Sequence, residues 1–168
     1  MSGTPDAAVS GESDAGVLAA LHAAAFETPW TEDAFATLLA SPGCFALVAH
    51  PAGALGHPTS KDDEPAAGML LARIAGDDCE IITIGVTAGF RRRGIAALLL
   101  DHAAARSVGL GAARQVLEVG TDNAAARRLY AQLGFVQCGT RPGYYAETGS
   151  DAVILARDIG AVIREQSR

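Results

Sequence analysis

Residues 81–105 read Ile-Ile-Thr-Ile-Gly-Val-Thr-Ala-Gly-Phe-Arg-Arg-Arg-Gly-Ile-Ala-Ala-Leu-Leu-Leu-Asp-His-Ala-Ala-Ala. Ile81 to Val86 is an apolar, β-branched run of strand length, and Ala96 to Ala105 is an apolar run of helical composition. Between them stand Arg91, Arg92, Arg93 and Gly94. A strand, a basic glycine turn and a helix together make an anion site, because the first turn of a helix has N–H groups without intrahelical partners and the positive end of the macrodipole. Gly94 lets an anion approach the main chain closely. Known phosphate loops narrow the ligand. There is no G-x-x-x-x-G-K-[ST], and the only lysine is Lys61, so a triphosphate held by a loop lysine is not expected. The dinucleotide pattern G-x-G-x-x-G is also absent after this strand. What remains is R-x-x-G-x-A at Arg91, Gly94 and Ala96, whose alternative reading is a solvated arginine cluster over a loop.

The next stretch weighs against that alternative. Leu117-Glu118-Val119-Gly120-Thr121-Asp122-Asn123-Ala124-Ala125-Ala126 leads into Arg127-Arg128-Leu129-Tyr130-Ala131-Gln132-Leu133-Gly134-Phe135. With the R-x-x-G-x-A turn, this strand, Asn-led helix and Tyr-x-x-Leu-Gly-Phe ending resemble the GCN5-related N-acetyltransferases, the GNAT family. Pro29-Trp30-Thr31-Glu32 and Arg141-Pro142-Gly143-Tyr144-Tyr145 are similar to the RimI branch of that family, the ribosomal-protein-alanine N-acetyltransferases. The resemblance runs in order from about Ala25 to Ile159. It implies an α/β (α+β) fold: a central twisted, mixed, mostly antiparallel sheet flanked by helices.

At 168 residues one domain with one core suffices. The chain is 49% hydrophobic and 19% charged, which excludes a disordered polymer. A net charge of -6 argues against generic nucleic-acid binding, which needs a broad basic surface; a cationic acceptor suits an acidic surface better. Cys44, Cys79 and Cys138 are odd in number and without C-x-x-C spacing, so neither disulfides nor zinc are expected and a reducing cytoplasm is the default compartment. His22, His50, His57 and His102 have no metal-ligand spacing and read as surface or packing residues; no metal is expected. No run approaches the roughly 18 apolar residues of a membrane span, and Met1 to Asp14 carries no targeting signal.

Residues 1–13 read as a frayed lead-in, 14–160 as the domain and 161–168 as a tail. Ser13 or Asp14 caps a helix with a Val17, Leu18, Leu21, Ala24, Ala25 stripe, stopped by Pro29. Thr31 caps a second with Phe35, Leu38 and Leu39 inward. Cys44 to Ala49 and Ala67 to Ile74 are strands around an insertion, 51–65, expected to be mobile because it lacks apolar anchors. Glu80 to Thr87 is the strand before the turn, whose helix stops at Gly109-Leu110-Gly111. Arg114 to Gly120 is a strand; Asp122 or Thr121 caps the next helix, which Gly134 closes. Phe135 to Gly139 and Asp151 to Asp158 finish the sheet, with Tyr144-Tyr145 on a loop between them.

The family resemblance assigns roles. The arm of acetyl-CoA would lie along Ile84, Gly85 and Val86, with Gly85 giving room and the Val86 N–H facing the oxyanion. Its phosphates would meet the turn of Arg91, Arg92, Arg93, Gly94, Ile95, Ala96 and Ala97, and Asn123 would bond the coenzyme. Glu118 is the expected base, standing alone among apolar and small neighbours on one face of its strand, or else a strand-end glutamate pointing into water. Tyr130 is the family's acid for the leaving thiolate, or else an aromatic anchor of its helix. Trp30, Phe35, Tyr144 and Tyr145 would border the acceptor, with core packing the other role for Trp30 and a solvated turn the other reading of the tyrosines. Gly120 stands where the branch commonly has arginine, which puts acceptor preference in question. The implied activity is acetyl transfer to a protein N-terminal α-amine, of a small-subunit ribosomal protein in this branch. Acetylation of lysine or a small amine, and a coenzyme-binding subunit without turnover, stay open as alternatives.

Overall fold

A computed structural model describes residues 7–12, 14–51, 66–145 and 149–160. The elements are β1 (Ala7–Glu12), α1 (Ala15–Ala25), α2 (Glu32–Leu39), β2 (Cys44–Pro51), β3 (Gly68–Ala75), β4 (Asp78–Val86), α3 (Ile95–Gly109), β5 (Arg114–Gly120), α4 (Ala124–Gln132), β6 (Val136–Tyr145) and β7 (Ser150–Asp158). The strands form one seven-stranded sheet in the order β1-β2-β3-β4-β5-β7-β6. β1 with β2, β2 with β3, β5 with β7 and β6 with β7 are antiparallel. β4 pairs with β5 in parallel, from Asp78 opposite Arg114 to Glu80 opposite Val116. This is the expected mixed, mostly antiparallel α/β architecture.

The chain divides into two compact units, Met1–Arg73 with Ile82–Ala103, and Ile74–Ile81 with Ala104–Arg168. In the first, Leu18, Leu21 and Phe35 from the two helices pack on Ala46, Val48, Met69 and Leu71 of the sheet. Burying each large apolar side chain contributes roughly 1.5–3 kcal/mol. α1 starts where the Asp14 carboxylate accepts from the N–H groups of Gly16 and Val17, and α2 where Thr31 Oγ1 accepts from Ala34 N–H, so the caps read from sequence are the ones used. In the second unit burial alternates along β5 from Gln115 to Val119: Gln115, Leu117 and Val119 are buried while Val116 and Glu118 are less so.

Three expectations change. Ala7–Glu12 is not a frayed lead-in but a strand, paired from Ala7 opposite Pro51 to Glu12 opposite Ala46. The cap of α4 is Asn123, whose Oδ1 accepts from Ala126 N–H, rather than Asp122 or Thr121. β6 does not end at Gly139 but continues to Tyr145, so the two tyrosines close a strand. The expected mobility of the insertion, and the tail at 161–168, lie outside the described residues, apart from Pro51, which ends β2.

Candidate active site

The donor side is built on the end of β4 and the start of α3. Thr87 N–H donates to Ala67 O, a short 3-10 turn at Ala88–Phe90 follows, and Arg92 and Gly94 both take positive φ, at 62° and 76°. Only at such angles does the chain reverse tightly enough to start α3 at Ile95. The bond from Leu98 N–H to Gly94 O opens the helix, which leaves the N–H groups of Ile95, Ala96 and Ala97 in the orphan positions of a first turn. That is the arrangement a diphosphate requires.

The arginines do different jobs. Arg91 Nε donates to Val86 O at 3.1 Å and its Nη2 to Ala25 O at 3.2 Å, so this side chain straps the turn to β4 and to the end of α1 instead of reaching outward. Arg93 lies 5.4 Å from the Phe90 ring centroid. Gly85 is also small for a reason other than the one expected: an added Cβ would sit 2.8 Å from the Phe26 ring and 3.0 Å from Ala25 Cβ. Its α-carbon is covered by protein, so coenzyme could meet only its backbone.

The flanking aromatics form a stack. His22 is buried, with its ring 4.2 Å from that of Phe26 and 5.0 Å from that of Trp30, and its Nδ1 accepts from Trp30 N–H at 3.2 Å. Burial pushes its pKa below the ordinary value. Trp30 is 37% exposed and borders an open groove of about 470 Å³ with Asp33, Ala34, Thr37 and Leu38. Phe35, in contrast, has no exposed surface. It is a core residue packed edge-on against His22 and cannot touch an acceptor, a correction to its expected role.

The catalytic candidates gather in the second unit. Pairing puts Glu118 opposite Ile154, Gly120 opposite Ala152 and Arg141 opposite the same Ala152. A short residue on the middle strand lets Arg141 span it, and its Nε lies 2.7 Å from Glu118 Oε1. Glu118 is therefore not alone, as its strand neighbours implied; it is ion-paired, hydrogen-bonded by Tyr144 and a quarter exposed. β6 bulges between Arg141 and Tyr145, where Gly143 N–H donates to Asp151 Oδ1 at 2.7 Å. The bulge turns Tyr144 and Tyr145 edge to face at 5.1 Å, both partly exposed.

At Gly120 a Cβ would lie 2.7 Å from Asp122 Oδ1 and 3.2 Å from the Tyr145 ring, so any side chain there has to push those two groups aside. Asp122 also accepts from Ser150 Oγ at 3.3 Å. Tyr130 is buried at 8% exposure on α4, edge-on to Phe135 at 5.6 Å. Its phenol is pushed above the ordinary tyrosine value by burial and then by Tyr145 nearby. Burial and the charge of Glu118 also raise Tyr144. All of these phenols are thus neutral hydrogen-bond donors at neutral pH.

Asn123 Oδ1 is committed to its cap, which makes its amide nitrogen the group with a hydrogen to offer. Arg141 and Asp122 were not singled out from sequence as site residues. Arg141 sat in view within the Arg-Pro-Gly-Tyr-Tyr segment, but its reach across Ala152 needs the register. Among the described residues no group of three or more His, Cys, Asp and Glu side chains is placed to hold a metal, Cys44, Cys79 and Cys138 form no disulfide, and no helix is long and apolar enough to cross a membrane.

The chain is similar in sequence and fold to known proteins. N-alpha-acetyltransferase RimI of Mycobacterium tuberculosis is 36% identical over 140 residues, covering 80% of this chain and 78% of that protein. The crystal structure of the ribosomal-protein-S18-alanine N-acetyltransferase from Escherichia coli is similar at a TM-score of 0.75 and 25% identity, over 91% of this chain and 94% of that one. Arabidopsis thaliana NAA60 in complex with acetyl-CoA shares the fold at a TM-score of 0.73 and 21% identity, over 92% and 99% of the two chains. The model of the family described as acetyltransferase (GNAT) matches residues 17–135. A chain with this turn, this sheet and these matches belongs to the GNAT family and is an acetyl-CoA-dependent N-acetyltransferase.

Proposed function

We propose that this enzyme acetylates the N-terminal α-amine of a protein, with the alanine N-terminus of ribosomal protein S18 as its substrate, as the names of its relatives suggest. The observation that carries the reading is the cluster of Glu118, Arg141, Tyr144 and Tyr145 at the ends of β5 and β6. A carboxylate held by a half-exposed guanidinium is a place for a cation, because an exposed ion pair contributes only about 0–1 kcal/mol and exchanges partners readily. An incoming ammonium can take the place of Arg141.

Acid–base arithmetic favours the α-amine. Its pKa is near 8 and that of lysine near 10.4, so at pH 7 roughly a tenth of the former is neutral against well under a thousandth of the latter. Glu118, directly or through water, takes the proton of the α-amine, and the neutral nitrogen attacks the thioester carbonyl. The Val86 N–H meets the oxyanion. As the C–S bond breaks, Tyr130 donates its proton to the sulfur, and the attacking nitrogen gives up its remaining extra proton through water to the phenolate, so that amide, thiol and neutral tyrosine remain. The first-turn N–H groups of α3 hold the two phosphates. The reaction is assigned to the cytoplasm, where acetyl-CoA is supplied and cysteines stay reduced.

Thiol release is to be measured with an Ala-started peptide, its N-blocked counterpart and an N-blocked lysine peptide. The reading requires turnover with the first alone; equal turnover with the blocked lysine peptide sinks it. Mass spectrometry of ribosomal proteins from cells with and without the gene product then identifies the acceptor.

A further inference from the structure

Arg157 is a β7 residue with 5% exposure. Burying a guanidinium costs several kcal/mol unless its donors are met, so the groups it meets say what it is kept for. Its Nε donates to the buried Gln115 Oε1 at 2.9 Å, directly across the β5–β7 ladder. Its Nη1 donates to Leu133 O at 3.1 Å, and the guanidinium lies 4.9 Å over the Phe135 ring. Leu133 and Phe135 bracket the turn that ends α4, and the N–H groups of both donate to Tyr130 O, at 3.1 and 3.0 Å. The Phe135 ring in turn meets the Tyr130 ring edge-on. On one side, then, the guanidinium grips the strand that carries Glu118; on the other it holds the carbonyl of Leu133, whose own N–H donates to Tyr130 O, and lies over the Phe135 ring that packs on Tyr130.

We infer that Arg157 is a positioning residue for acetyl transfer, fixing the Tyr130 phenol relative to β5 through Leu133 O and the Phe135 ring. The inference rests on Tyr130 as the acid. A lysine would keep the charge at the end of α4 but not the forked donors or the flat face that lies over Phe135, so R157K separates positioning from simple electrostatic support of the helix end.

The experiment is a double-mutant cycle on the intact enzyme with R157M, R157K and Y130F, recording kcat, both KM values and Tm. R157M and R157K should each lower kcat about tenfold with KM for acetyl-CoA within about twofold, and R157K should recover Tm without recovering kcat. In the Y130F background either Arg157 substitution should cost almost nothing further, because its route of action is gone. Where R157M does not fold, the R157K arm carries the cycle. Recovery of kcat by R157K, wild-type kcat in R157M, or losses that multiply in the double mutant would each overturn the inference. Wild-type kcat in Y130F alone would instead remove Tyr130 as the acid, and the inference with it.

Discussion

Tyr130 offers the sharpest test among single residues. General acids are worth about two to four orders of magnitude, so Tyr130→Phe should lower kcat about a hundredfold and leave acetyl-CoA affinity nearly unchanged, in steady-state assay and calorimetry. Because burial raises its pKa, the phenol stays protonated past the ordinary tyrosine value of about 10; its contribution is present below that value and is lost only as pH climbs through the raised one. A fall in kcat between pH 7 and 9 must therefore come from another group. Gly120 tests the acceptor side. In Gly120→Ala the new methyl must displace Asp122 or Tyr145, so the peptide KM should rise several-fold while the acetyl-CoA KM stays put; equal change in both would take Tyr145 away from the acceptor.

At the scale of elements, the proposed donor binding falls to the turn from Arg91 to Gly94 and the helix it opens. Gly94→Ala forces a Cβ into the left-handed region at a cost of about 1–2 kcal/mol, so acetyl-CoA should bind roughly tenfold more weakly, with kcat at saturation little changed. This element was legible in advance because strand, basic turn and helix are contiguous and each has its own residue pattern. β5 was readable from Arg114 to Gly120 as a short buried strand even though its apolar alternation is weak in sequence, and burial alternates along it from Gln115 to Val119. β6 was cut short because Gly139, Pro142 and Gly143 punctuate it, and a bulge that absorbs such residues looks in sequence like the end of a strand. β1 was missed because Val9 is its one β-branched residue, and pairing with β2 is what defines it as a strand. Phe35 was misplaced because an inward aromatic on a helix next to Trp30 looks the same whether it faces core or ligand. The Glu118–Arg141 pair and the Arg157–Gln115 bond join residues 23 and 42 apart, and only the register brings them together.

For the molecule as a whole, His22 links stability to pH. Its folded pKa lies below the ordinary 6.5, and its Nδ1 must stay unprotonated to accept from Trp30 N–H. The unfolded chain takes up that proton first, so the stabilisation is complete above about pH 6.5 and is lost as pH falls toward the depressed folded value. Tm should decline from pH 7 to 5, and His22→Gln, which cannot be charged there, should flatten the decline. Arg91 has a different reach: one guanidinium joins carbonyl oxygens of Ala25 and Val86, far apart along the chain. The phosphate cradle is thereby shaped before its guest arrives. Encounter with coenzyme should need no slow rearrangement, and rapid-mixing traces should show a single bimolecular phase. Freed of the clasp in Arg91→Ala, only a fraction of molecules would be receptive at any instant, and the apparent dissociation constant would grow by the inverse of that fraction.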